Sequence, residues 1–263
     1  MAIYLNLTNN RYKGYIEFSS TNTFDEFDSS NVKSVLVKRK INGIPGGWIT
    51  IFTKSIAIDT DLVFNEKDIY ARSGETYLYE MEYYDENNNL LTTISNTVES
   101  VCDCIVICDS EDCYFTPLNT GSIDVNRIKP YTMNTPYNAT KPSYYCNSTI
   151  NYEEGSCTGV FLDIEGTDND FNFVTKNNYK YRNSFKNWLT NGKAKLLKNI
   201  YGEVWVIAIK TDTISDKGMM SNGQVEGART ISFDWFEVGD ANSEEEMYEL
   251  GLSDIESSYW SGV

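Results

Sequence analysis

Ser73-Gly74-Glu75-Thr76-Tyr77-Leu78-Tyr79-Glu80-Met81-Glu82-Tyr83-Tyr84-Asp85-Glu86-Asn87-Asn88-Asn89-Leu90 is the stretch whose reading decides the fold of the first hundred residues. A Ser-Gly-Glu turn leads into a run in which Tyr77, Tyr79, Met81 and Tyr83 recur at every second position. That period sets all four on one face of a β-strand. Residues 85–89 are turn formers, and residues 90–94 run back as a partner strand. Upstream, Lys33-Ser34-Val35-Leu36-Val37-Lys38-Arg39-Lys40 places Val35 and Val37 on one face, with the charges gathered at its far end. Asn42-Gly43-Ile44-Pro45-Gly46-Gly47 is a turn by composition, and Trp48-Ile49-Thr50-Ile51-Phe52 returns as the second strand of a hairpin. Strands spaced about 8–12 residues apart with turn signals between them predict an antiparallel sandwich.

The Val-Lys-Arg-Lys strand, Trp48 and the Gly-x-x-Tyr-x-Tyr strand with its Asp-containing turn resemble a fibronectin type III or similar immunoglobulin-like module. The resemblance covers roughly residues 20–100. The proline usual near the start of such modules is absent. The implied fold is an immunoglobulin-like β-sandwich over residues 1–101.

From Cys102 the texture changes. Ile105-Val106-Ile107 and Cys113-Tyr114-Phe115-Thr116-Pro117-Leu118 flank the turn Asp109-Ser110-Glu111-Asp112, a second hairpin that opens a β-rich domain over residues 102–263. Residues 119–158, rich in Asn, Thr, Ser and Pro and poor in hydrophobic periodicity, read as a long loop or arm. Tyr181, Phe185, Trp188 and Leu189 predict an amphipathic helix over 179–189, stopped by Asn191-Gly192. Strands follow at 203–209 and 229–236, the second with Ile231, Phe233 and Trp235 on one face, joined by a polar loop over 211–226. Ser243 and Glu246 fit a capping box for a short terminal helix that ends at Gly251, and residues 253–263 read as a loose tail. The expected class is therefore mainly β, with one amphipathic helix and one short terminal helix.

Composition narrows function. The 263 residues carry 38 acidic against 22 basic side chains, a formal charge of −16 that repels phosphate backbones and anionic headgroups, so nucleic acid is not an expected partner. There is no histidine, which removes the commonest general base and the usual Ser and Cys triads. The opening Met1–Thr8 alternates apolar and polar residues and lacks the pattern of a signal peptide, and no run reaches the roughly 20 apolar residues of a spanning helix.

The six cysteines are Cys102, Cys104, Cys108, Cys113, Cys146 and Cys157. Their spacing is compatible with reduced, partly buried thiols, with a disulfide between Cys108 and Cys113 across the turn, and with a thiolate metal site, although paired Cys-x2-Cys knuckles are absent. Asp163-Ile164-Glu165 and Asp168-Asn169-Asp170 read as solvated loop charge, without the regular calcium-loop pattern. Tyr131, Tyr137, Tyr144 and Tyr145 are the better interface candidates among the 19 tyrosines, and Trp48 and Trp260 are candidates for a sugar platform. Asn6, Asn138 and Asn147 head sequons that carry no weight without a secretory signal. No catalytic, cofactor-binding or metal-ligating residue is assigned.

The order of features in residues 103–252 is more telling. The strand Gly159-Val160-Phe161-Leu162, the helix with Arg182, Phe185, Trp188 and Leu189, the turn Asn191-Gly192-Lys193, the strand around Trp205 and Arg229-Thr230-Ile231-Ser232-Phe233-Asp234-Trp235-Phe236-Glu237-Val238-Gly239-Asp240 follow one another. Together they resemble the minor tail or baseplate structural proteins of phages of low-GC Gram-positive bacteria and of related tail-like particles. The resemblance implies a non-enzymatic virion component, assembled in the host cytoplasm, that packs in rings of copies against other tail proteins. The alternative is a carbohydrate-binding or adhesion module at a bacterial surface.

Overall fold

The computed structural model of the chain describes residues 3–22, 27–117, 120–135, 137–145, 149–167, 170–174, 179–218 and 229–253. The protein is mainly β, with two helices among these residues. The first strands are β1 (Ile3–Asn10), β2 (Tyr15–Asn22), β3 (Ser34–Ile41), β4 (Ile49–Ser55), β5 (Phe64–Asp68), β6 (Thr76–Tyr84) and β7 (Leu90–Glu99). They form an immunoglobulin-like sandwich of two antiparallel sheets, β1-β2-β5 against β4-β3-β6-β7.

The alternation of β6 builds the core between them. Tyr77, Tyr79, Met81 and Tyr83 are all buried and meet Leu5, Ile16 and Phe18 of the facing sheet and Val35 and Val37 of the adjacent β3. Each such side chain contributes about 1.5–3 kcal/mol through burial. The Tyr77 hydroxyl accepts from the Arg72 N–H at 3.0 Å, a tyrosine corner that pins the turn before β6. The period of β3 carries one step further than the expected apolar pair: Arg39 shares the face of Val35 and Val37 and is buried beside Asp68, 3.1 Å away. Asp68 is satisfied in turn by the Tyr79 hydroxyl (2.6 Å) and the Tyr70 N–H (3.0 Å).

The remaining chain forms β8 (Cys104–Cys108), β9 (Cys113–Pro117), β10 (Gly121–Ile128), β11 (Thr132–Asn134), β12 (Ser143–Tyr145), β13 (Tyr152–Gly159), β14 (Asp163–Thr167), β15 (Asp170–Val174), helix α1 (Tyr179–Leu189), β16 (Lys195–Lys198), β17 (Val204–Gly218), β18 (Arg229–Gly239) and helix α2 (Glu244–Glu249). Seven of these strands make one antiparallel sheet in the order β10-β13-β18-β17-β16-β8-β9. Its two edges curl toward each other: the Leu162 N–H donates to the Phe115 carbonyl, and a Cβ on Gly159 would stand 2.6 Å from Thr116, so only glycine admits this approach.

Both faces of the sheet are covered. One face carries Ile105, Ile107, Leu197, Trp205, Ile207, Phe233 and Trp235 and packs on Phe185, Trp188 and Leu189 of α1. The other carries Cys104, Val106, Cys108, Leu196 and Val206 and packs on Tyr15 and Ile69 of the sandwich and on Met247 of α2 and Leu252 just after it. This is why every residue of β8 is buried.

The structure corrects several expectations. Residues 119–158 are not a loop throughout: β10 and β13 pair along eight residues each at the sheet edge, and only the intervening stretch stands apart, closed by the short β11–β12 hairpin. Asn, Ser and Thr at exposed edge positions masked the strand period there. The polar loop expected from 211 is strand as far as Gly218, because β17 continues past a bulge between Lys210 and Ser215 and pairs again with β18. Asp163–Thr167 and Asp170–Val174 form a hairpin where solvated loop was expected. The α2 cap is half of a capping box: Ser243 accepts from the Glu246 N–H, while the Glu246 carboxylate turns to the Asp240 N–H at 2.7 Å. The tail from 254 on lies outside the described residues.

Candidate interaction surface

No mobile linker separates the sandwich from the seven-stranded sheet. The connection is fixed residue by residue: Asn9 Nδ2 donates to the Val101 carbonyl, the Cys102 N–H to Ser73 Oγ, and the Asp103 N–H to the Arg11 carbonyl, all at 2.9–3.0 Å. Lys198 completes the joint. Its stem alternates out of β16 toward the sandwich, and its buried ammonium donates to the carbonyls of Gly14, Ile69 (2.9 Å) and Ala71 (2.7 Å). Gly14 has φ +63, and a Cβ there would lie 3.0 Å from Cys102 Sγ. The β1–β2 turn thus fits this seat only with glycine.

The cysteines gather around the same joint, with one exception. Cys102, Cys104, Cys108 and Cys113 face the sandwich, whereas Cys157 is buried on the α1 side and Cys146 lies outside the described residues. Cys108 and Cys113 are register partners. The carbonyl of Phe115, two residues on, points away from β8 to Leu162, so Cys108 and Cys113 form a non-hydrogen-bonded pair, the kind whose side chains stand closest. The Cys113 thiol contacts both the Cys108 sulfur and the Lys13 carbonyl (3.1 Å). That thiol contact holds Cys108 below the ordinary thiol value against the opposing effect of burial, and it places Cys113 well above. Burial pushes Cys104 and Cys157 up to about 12. Among the described residues no group of three or more His, Cys, Asp or Glu side chains has the arrangement of a metal site.

A second buried lysine serves the opposite face. Lys195 pairs with Asp109 at 3.1 Å and lies 4.4 Å from the centre of the Trp188 ring, fixing α1 against β16 and the β8–β9 turn. Burial would raise the Asp109 carboxyl, but N–H donors from Asp112 and Glu111 together with Lys195 hold it below the usual range.

The exposed features lie elsewhere. The described residues between β10 and β13 form an arm on which Tyr131, Met133, Tyr137 and Ile150 are exposed, Tyr137 almost completely at 96%. Tyr144 and Tyr145 sit on β12 of the same arm. Beside the arm's base opens a cleft of about 720 Å³, walled by Arg127, Glu153, Glu203, Glu237 and Asp240 and by Arg72 of the sandwich. Glu153 is fully engaged there: Arg127 bonds one oxygen at 2.9 Å and the Trp205 indole N–H the other at 2.6 Å, while the Glu153 N–H donates to Glu237. The Trp48 ring is partly buried and packs against the ammonium groups of Lys38 and Lys40, 4.9 and 4.4 Å from its centre. Trp260 lies outside the described residues. Of the tyrosines singled out in sequence, all four fall on the arm, and the Tyr131 and Tyr137 side chains are exposed there. The cleft and the buried lysines were missed, because their residues come from segments far apart in the chain.

Among the described residues no helix is long and apolar enough to cross a membrane. No protein-family model matches the chain, and a search of curated proteins finds no similar sequence.

Proposed function

We propose that the protein is a structural, non-enzymatic component of a phage tail or baseplate, present in several copies that pack against one another and against other tail subunits. The observation that carries this reading is the pairing of a rigid body with an exposed arm. The sandwich and the seven-stranded sheet are joined by a buried apolar cluster of their own, and the arm at the sheet's edge presents Tyr131, Met133 and Tyr137 to solvent. Aromatic residues and Met exposed together on a hairpin are the composition of an interface core. The immunoglobulin-like sandwich and the order of elements in residues 103–252 add the resemblance to tail proteins. The chain has no histidine, the commonest general base, and Glu153 in the cleft is held by Arg127 and Trp205.

The test is electron cryo-microscopy of particles purified from the source, with mass spectrometry of their proteins. Density for this chain in defined positions at the tail end supports the reading. A chain absent from particles and found free, binding surface glycans through the arm's tyrosines, replaces it with the adhesion reading.

A further inference from the structure

The arm and the cleft differ in charge. Residues 129–151 contain Lys129 and Lys141 and not one Asp or Glu, in a protein where 38 of 263 residues are acidic. Both lysines are exposed, and neither makes an ion pair among the described residues. The cleft is the complement. Its Glu203, Glu237 and Asp240 have no cationic partner among the described residues, since Arg127 is taken by Glu153 and Arg72 is bonded to Asn242. An open acidic recess thus lies at the foot of a cationic, aromatic hairpin. The paired part of the arm, β11 with β12, is three residues a side.

We propose that the arm of one copy seats in the cleft of the next, with Lys129 and Lys141 against Glu203, Glu237 and Asp240 and with Met133 and Tyr137 covering the rim. This rests on the reading of the chain as a multi-copy structural component and names the contact between its copies. Arm and cleft are different patches of one surface, so the contact is head-to-tail, which generates a ring where the rotation closes and a filament where it does not. The net charge of −16 acts to keep copies apart, and the arm, which carries no Asp or Glu, adds nothing to that repulsion.

Sedimentation velocity of the full chain over a range of concentration and salt tests the contact with three variants: Lys129→Glu/Lys141→Glu, Glu203→Lys/Asp240→Lys, and all four changes together. The expected result is self-association that weakens with salt, falls about tenfold or more in each two-site variant, and returns when the charges are exchanged on both sides. Restoration by the fourfold variant rules out a folding defect as the cause of the losses. A wild-type chain that stays monomeric at every concentration, or one whose association ignores both pairs of changes, overturns the arm-to-cleft contact. Finding the chain in particles with its arm on a different protein also overturns it while leaving the structural reading in place. Absence from particles overturns the reading itself, and sedimentation then decides the contact alone.

Discussion

The ammonium nitrogen of Lys198 lies 2.7 Å from the carbonyl oxygen of Ala71, so a strand of the seven-stranded sheet is bonded through its side chain to the backbone of the sandwich. The same nitrogen serves the carbonyls of Ile69 and Gly14. Lys198→Met keeps the stem and removes three donors from a buried joint. The expected loss is about 3 kcal/mol, near 1 kcal/mol for each unmet carbonyl. Denaturant titration followed separately by tyrosine and tryptophan signals checks it: Trp188, Trp205 and Trp235 of the sheet domain should report a transition that no longer coincides with that of the sandwich tyrosines.

Removing one partner of the Arg39–Asp68 pair should cost far more than removing both. Asp68→Ala leaves a buried guanidinium beside the Tyr77 ring with no carboxylate, and the expected loss is about 3–5 kcal/mol. The double change Arg39→Met/Asp68→Ala should recover a large part of that loss. Equal destabilisation by the single and double variants in urea titration would show that the pair is not coupled.

Tyr77→Phe tests the corner separately. The ring stays in the core while the Arg72 N–H loses its acceptor, and thermal or urea unfolding should show a loss of about 1 kcal/mol.

Cys108 and Cys113 should close a disulfide when the folded chain is treated with a small disulfide reagent. One thiolate attacks the reagent and expels a thiolate. The second cysteine then attacks the mixed disulfide, expels another thiolate and completes the bond. Peptide mapping should find this crosslink and lose it in Cys113→Ser. By loop closure, the crosslink adds about 2 kcal/mol of stability.

Alkaline pH should weaken the fold through Cys104 and Cys157. Their thiols are held up to about 12 in the native state, so the folded chain keeps protons that the unfolded chain releases from the ordinary thiol value upward. The contribution is intact below the unfolded value and is lost as pH climbs toward the folded one, at ~1.4 kcal/mol per pH unit for each thiol. Urea titrations across that interval should show the decline, and Cys157→Ala should flatten its slope.

How much was legible in the sequence depended on whether one face of an element meets water. The period of β6 and the extent of α1, Tyr179–Leu189, were readable because each has a single buried face. The alternation of Ile231, Phe233 and Trp235 in β18 was readable for the same reason. Arg39 and Lys198 were not, since a charge at an inward position looks like solvated surface until its carbonyls or carboxylate arrive from elsewhere in the chain. Lys195-Leu196-Leu197-Lys198 suggested no strand, yet all four residues are buried, because the sheet is covered on both sides. The arm's base was hidden for the opposite reason: β10 sits at an edge, where its side chains are mostly exposed and need no alternation.

The ladder from β10 through β13 to β18 and β17 has a mechanical consequence. A pull on the arm along its length draws β10 and β13 together and loads the β13–β18 hydrogen bonds in parallel, as shear, instead of opening them one after another. The strain then crosses β17 and β16 to Lys198 and enters the sandwich there. The arm is thus a lever on a stiff frame, and tension at its tip is borne by the whole molecule.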